Sequence, residues 1–109
     1  MIDLAANLSA LGVNAARAWG AASNLANMNT PGYKAVRVES VSARGGGVTQ
    51  AVSRDNRPGP IMPDGVEGSN VDPALEIAGL ITAKFAYSAN AKAIAILDET
   101  KGFLLDIVG

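Results

Sequence analysis

The feature that most constrains this chain is an enforced change of direction at Pro31-Gly32. Before it, Leu4, Leu8, Leu11, Ala15, Ala18, Ala22 and Leu25 recur in alternating steps of four and three. That spacing predicts a helix presenting one seam to a partner helix. Pro31 has no N–H and biases Thr30 away from the α region, so the helix ends before it. Pro31 and Gly32 suit the two central positions of a type II turn. Asn24, Asn27 and Asn29 carry amides able to satisfy the backbone groups left bare at the helix end.

The first helix is expected to depend on docking. Three of its seven seam residues are alanine, so a partner helix could approach closely. Gly12 and Gly20 each cost about 1 kcal/mol relative to alanine in a helix interior. Asn7, Ser9 and Asn14 offer the backbone competing hydrogen bonds. A peptide of residues 1–30 is therefore expected to be weakly helical in water.

Residues 35–68 read as extended. Val36 and Val38 alternate with Arg37 and Glu39, and Val48 and Val52 alternate with polar or small residues. Arg44-Gly45-Gly46-Gly47 between these runs suits a hairpin connection. Arg57-Pro58-Gly59-Pro60 and Pro63-Asp64-Gly65 add turns. After Pro73 no proline interrupts the chain. Asp72 is a good N-cap, Pro73 takes the first helical position and Glu76 faces the positive end of the dipole. The spacing predicts a helix over 73–106, about 50 Å long. On this reading, residues 1–33 form an N-terminal helix with an Asn-rich turn, 34–68 an extended insert and 69–109 a C-terminal helix. The expected fold class is mainly α: two long terminal helices paired as an antiparallel coiled coil around a small β-hairpin insert.

Composition narrows the chemistry. The chain has 109 residues, a net charge of −1, and neither cysteine nor histidine. Ser-His and Cys-His pairs and the common zinc sites are therefore excluded. The triple glycine is followed by Val48 and not by Lys-Ser/Thr, so no phosphate loop is present. Asp64, Glu67 and Asp72 lack the spacing of a calcium loop. Asp98 and Glu99 are adjacent and point apart on a helix. No catalytic, cofactor-binding or metal site is expected, and no small-molecule substrate. The basic middle (Arg37, Arg44, Arg54, Arg57) has no interleaved aromatics, and the total charge is negative, which argues against nucleic acid. No run of apolar residues is long enough to span a membrane. Met1-Ile2-Asp3-Leu4 lacks the basic region and apolar core of a cleaved signal peptide. Residues 34–60 carry +3 and residues 61–109 carry −4. This asymmetry either is ordinary scatter on a small surface or suits subunits meeting head to tail or side to side.

Two stretches carry a family resemblance. Ser23-Asn24-Leu25-Ala26-Asn27-Met28-Asn29-Thr30-Pro31-Gly32-Tyr33-Lys34 resembles the N-terminal signature of the bacterial flagellar rod and hook (axial) proteins, roughly S/N-N-I-A-N-x-N-T-x-G-Y/F-K. Gly68-Ser69-Asn70-Val71-Asp72, with Glu76, Leu80-Ile81-Thr82-Ala83, Ala86-Tyr87, Ala89-Asn90-Ala91-Lys92, Asp98-Glu99 and Leu104-Leu105-Asp106-Ile107, looks like their C-terminal segment. More loosely, Gly46-Gly47-Val48, Arg54-Asp55 and Pro63-Asp64-Gly65-Val66 are similar to the centre of the short proximal rod class. The chain departs at Lys84-Phe85, where the family usually carries Gln-Arg, and at Thr100, where an apolar residue is common.

The resemblance implies a structural subunit of the flagellar basal body, with no enzymatic activity. Its terminal helices would pair and polymerise with copies of itself and other rod subunits into the axial shaft that crosses the periplasm. The flagellar export apparatus would deliver it without a cleaved signal. The assembly residues the resemblance suggests are Leu25, Asn27, Asn29, Thr30, Pro31, Gly32 and Tyr33 on the first motif. On the second they are Ile81, Tyr87, Asn90, Ile94 and Leu105. A bulky residue at Asn27 or Gly32 is expected to block assembly and motility while sparing secretion. The competing expectation is a small helical-hairpin adaptor that forms a closed dimer.

Overall fold

The computed structural model describes residues 4–108. Of Met1-Ile2-Asp3-Leu4, read above as unlike a cleaved signal peptide, the first three residues lie outside that range, as does Gly109. Four elements follow in order: α1 (Leu4–Ala26), β1 (Val36–Ser42), β2 (Val48–Arg54) and α2 (Pro73–Val108). The molecule is long and flat, 73 × 26 × 13 Å. Its length is set by α2, whose 36 residues span about 54 Å.

The local signals act as expected. Thr30 O accepts from Tyr33 N at 3.2 Å, closing a turn with Pro31 and Gly32 at its centre, and Gly32 sits at φ +70°. The strands form an antiparallel hairpin with Val36 opposite Arg54 and Ser42 opposite Val48. Gly45, Gly46 and Gly47 all have positive φ in its connection. Asp72 caps α2, its Oδ1 accepting from Ala74 N at 3.1 Å.

The hairpin lies along α1. At its base, Val36 packs by the C-terminal turns of α1. At its tip, Val48 N donates to Ser9 Oγ at 3.1 Å. A β-carbon on Gly20 would stand 3.2 Å from Val38 Cγ2. The helix-weakening glycine is therefore what lets the strand come close.

α2 folds back along α1. Its first turns share a groove with Arg17, Gly20 and Ala21. Its buried or half-buried side chains, Glu76, Leu80, Ala83, Ala86, Asn90, Ile94 and Leu97, recur at steps of three and four. From Asp98 to Ile107 every residue is exposed.

The contact face of α1 corrects the expectation from sequence. Leu4, Leu8, Ala15 and Ala22 are exposed and Leu11, Ala18 and Leu25 only half-buried, so the regular seam is not the face turned to α2. The buried residues of α1 are Val13, Asn14, Gly20, Ala21 and Asn24. Most of them are small or polar. The hairpin and α2 both need close backbone approach there, and glycine and alanine permit it. The interior is correspondingly thin: Val13, Ala21, Ala35, Val36 and Ala83 are its buried apolar residues, beside buried Asn14, Asn24, Ser69 and Glu76.

Candidate assembly interface and the polar clasp

The two ends of the chain meet in a clasp centred on Asn24, whose side chain is fully buried at 0% exposure. Its Nδ2 donates to Val36 O at 2.9 Å, and its Oδ1 accepts from Val36 N at 2.7 Å. The primary amide thus pairs with Val36 as a neighbouring strand would, extending the ladder into the helix. The same Oδ1 accepts from Tyr33 Oη at 3.2 Å. Asn24 ends up with its polar atoms satisfied, which a buried amide requires.

Asn70 performs the matching task from the other side. Its Oδ1 accepts from Ala35 N at 2.7 Å, and its Nδ2 donates to Asp55 O and Arg57 O at 2.7 and 2.9 Å. Gly32 N donates to Glu67 O at 2.9 Å, and Asn70 N to Tyr33 O at 3.2 Å. Three segments, residues 24–37, 54–59 and 67–76, are tied together by these bonds.

Charge reinforces the tie. Arg37 reaches Glu76 on α2 at 2.6 Å, and Glu76 is 4% exposed. The same guanidinium stands 3.9 Å from Asp55. Hydrogen bonds from the Arg57 side chain, then from its backbone N–H, hold the Asp55 carboxyl well below the usual carboxylate range. Lys34 Nζ lies 2.6 Å from Glu67 and, with the Gly59 N–H, lowers that carboxyl too. Arg54 stacks over the Tyr33 ring, 5.4 Å from its centre.

The predicted assembly residues fall into two separated sets. In the first, Tyr33 is half-buried in the clasp, and Gly32 joins it through its backbone. Asn27, just past the end of α1, bonds locally, donating to Ser23 O at 2.9 Å and accepting from Thr30 Oγ1 at 3.0 Å. Leu25 is half-buried, and Asn29, Thr30 and Pro31 are exposed. In the second set, Ile81, Tyr87 and Leu105 are exposed on α2, at 53%, 45% and 64%. Asn90 and Ile94 instead face α1, with Asn90 donating to Ala86 O. The fold does not gather the two sets into one site, since Ile81 and Leu105 alone are about 36 Å apart along α2.

Asn24, Arg37, Asp55, Glu67, Asn70 and Glu76 are the clasp residues that sequence reasoning did not select. Their one signal was an oddity: polar residues inside motifs where a helix end or cap needs fewer.

Outside the clasp, the helices present apolar surface. Leu8 and Trp19 on α1 are 54% and 59% exposed, and Phe85 on α2 reaches 75%. No group of potential metal ligands occurs among the described residues, nor any helix long and apolar enough to cross a membrane.

A thin, polar-locked interior with large apolar faces outside defines the class of molecule: an elongated helical hairpin. Residues 21–34 match the flagella basal body rod protein family, and residues 64–107 match the flagellar basal body rod FlgEFG protein C-terminal family. Both matched families are flagellar basal-body rod families, and the two matches together support a rod-family protein. No curated protein matches it. The two matched segments are the ones the clasp joins, while the hairpin between them is unmatched.

Proposed function

We propose that this chain is a structural subunit of the flagellar basal-body rod, polymerising through the outer faces of its terminal helices to help build the drive shaft. The observation that carries this reading is the part of the α1 heptad seam left outside the fold, with Leu4, Leu8, Ala15 and Ala22 exposed. A coiled-coil seam left outside its own fold is available to a neighbouring helix. The coiled-coil contact then forms between subunits, while the small-residue face holds the hairpin and α2. Partners are copies of this chain and other rod subunits, meeting through unlike surfaces that propagate rather than close. Likeness to the proximal rod class suggests a place near the base of a shaft that crosses the periplasm. The thin interior suits passage through the flagellar export apparatus as an unfolded chain.

Deletion of the gene tests this directly. The strain is expected to be non-motile, and an epitope-tagged chain restored to it is expected in purified basal bodies. A motile deletion strain, or a tagged chain absent from basal bodies, would reject the reading. Sedimentation of the purified chain separates it from a closed-dimer adaptor, which would give a single discrete dimer at every concentration.

A further inference from the structure

A groove of about 360 Å³ opens between α1, β1 and the first turns of α2. Gly20, Ala21, Gly79 and Ala83 keep it wide, and a β-carbon on Gly79 would meet nothing within 4 Å. Arg17 lines it, and among the described residues Arg17 has no ionic or hydrogen-bonded partner. The other guanidinium there, Arg37, is already taken by Glu76. The groove is thus apolar, with one free cation.

The opposite end of α2 has complementary chemistry. Residues 98–107 are exposed throughout and carry three acids against one lysine. Glu99, Phe103 and Asp106 lie at i−4, i and i+3, on one face of the helix. Phe103 is 66% exposed, and neither acid has an ionic partner among the described residues. This is an aromatic anchor flanked by two unpaired carboxylates.

We infer that the groove receives the last turns of α2 from a second copy of this chain, with Phe103 in the groove and Glu99 and Asp106 meeting Arg17. The inference rests on the rod reading and names one of its contacts. Buried aromatic anchors with charged rims are the usual core of such interfaces. Groove and tail occupy different ends of one helix, so the contact is heterologous. Repeated in one direction it continues as an open chain, whereas reciprocal insertion by two copies would stop at a two-fold dimer and give no ladder beyond two. The spacing from Thr82 to Phe103 sets an advance of about 32 Å per copy along α2.

The absence of native cysteine makes a disulfide test clean. A Thr82→Cys, Thr100→Cys double variant keeps Phe103 and cannot bridge within one chain, because a disulfide needs Cα atoms within about 7 Å. Oxidation of the full-length double variant is expected to give a ladder of covalent dimers, trimers and longer species. Each single variant should give at most a small amount of dimer. Arg17→Glu in the double-cysteine background should cut the ladder about tenfold, with unchanged far-UV circular dichroism, and Glu99→Arg with Asp106→Arg should restore it. Absence of a ladder at the highest soluble concentration, single variants that dimerise as strongly as the double, or a ladder indifferent to Arg17→Glu would overturn the inference. The rod reading fails separately. A chain present in basal bodies without a ladder sinks only this contact, and a ladder from a chain absent from basal bodies sinks only the rod.

Discussion

The clasp and the outer helix faces solve opposite problems with the same helices. In the clasp, polar groups are buried and saturated: Asn24 alone makes three hydrogen bonds at 0% exposure. On the outer faces, apolar side chains stand in water, with Phe85 at 75%. A self-sufficient small domain would reverse this, burying phenylalanine and exposing asparagine. The difference separates two jobs. Directional bonds specify how the chain's own ends meet, while large apolar side chains are left outside the fold. Substitutions should therefore split cleanly, changing the monomer's stability in the clasp and its association outside it.

The largest effect on stability is expected at Asn24. Asn24→Ala strands the Val36 N–H and C=O in a dry site, and buried unsatisfied groups cost about 1–3 kcal/mol each. A loss of about 3 kcal/mol is predicted by urea unfolding. Asn24→Asp tests the geometry further, since it keeps the acceptor for Val36 N but loses the donor to Val36 O and buries a charge. It should be no milder than alanine. A loss under about 1 kcal/mol in both variants would mean that the amide ladder is not what holds the ends together.

Next comes the Arg37–Glu76 pair. Arg37→Ala leaves Glu76 buried without its partner. Because the Arg37 side chain keeps 29% exposure, the loss should fall below that of a fully buried pair, at about 2 kcal/mol. Exchanging Glu76 for Gln as well should return part of it, which a double-mutant cycle would register.

How much of this was legible follows the range of the interaction. The Thr30–Tyr33 turn, the Asp72 cap and the glycine connection at 45–47 depend on neighbours in sequence, and each could be read from it. The pairing of Asn24 with Val36 spans 12 residues and exists only once the hairpin lies on α1. Nothing in the sequence around Asn24 distinguishes it from a capping residue. The face of α1 was misread for a related reason. Heptad spacing shows that a seam exists, but not whether its partner is in the same chain. Here the intrachain contact needs close approach, and Gly20 and Ala21 provide it while Leu4 and Leu8 do not. Of the site, Tyr33 and Gly32 are carried by the motif, whereas Glu76 reads only as a first-turn acid and nothing near Asn70 in sequence points to its partners.

A smaller effect is predicted on acidification. Asp55 and Glu67 are held in their charged forms by Arg57, and by Lys34 with Gly59 N–H. Both therefore titrate lower in the fold than in the unfolded chain. Their stabilising contribution is complete above the ordinary carboxylate range and is lost as pH falls through it towards the folded values. The urea midpoint should be flat from neutral pH to about 5 and then decline. Glu67→Gln should be less stable at neutral pH but show a shallower acid slope. An unchanged slope would remove Glu67 from the clasp's charge balance.

Gly32→Ala isolates backbone conformation. A β-carbon there meets nothing within 4 Å, so any cost comes from φ +70°. About 1 kcal/mol is expected by thermal unfolding. A larger loss would mean that the bond from Gly32 N to Glu67 O is also displaced.

The smallest effect on the monomer should come from the most hydrophobic substitutions. Leu8→Ala and Phe85→Ala remove large side chains that water already surrounds, so urea unfolding should move by no more than about 0.5 kcal/mol. In a conventional core either would cost several times that. The same variants should weaken self-association in sedimentation and reduce recovery of the chain in basal bodies. Stability and assembly are thereby uncoupled in the direction opposite to Asn24→Ala, which lowers the first before it touches the second. If Phe85→Ala instead destabilised the monomer by 2 kcal/mol or more, the outer face of α2 would be part of the chain's own core in solution. The division between a polar clasp for folding and apolar faces for partners would then fail at its most exposed residue.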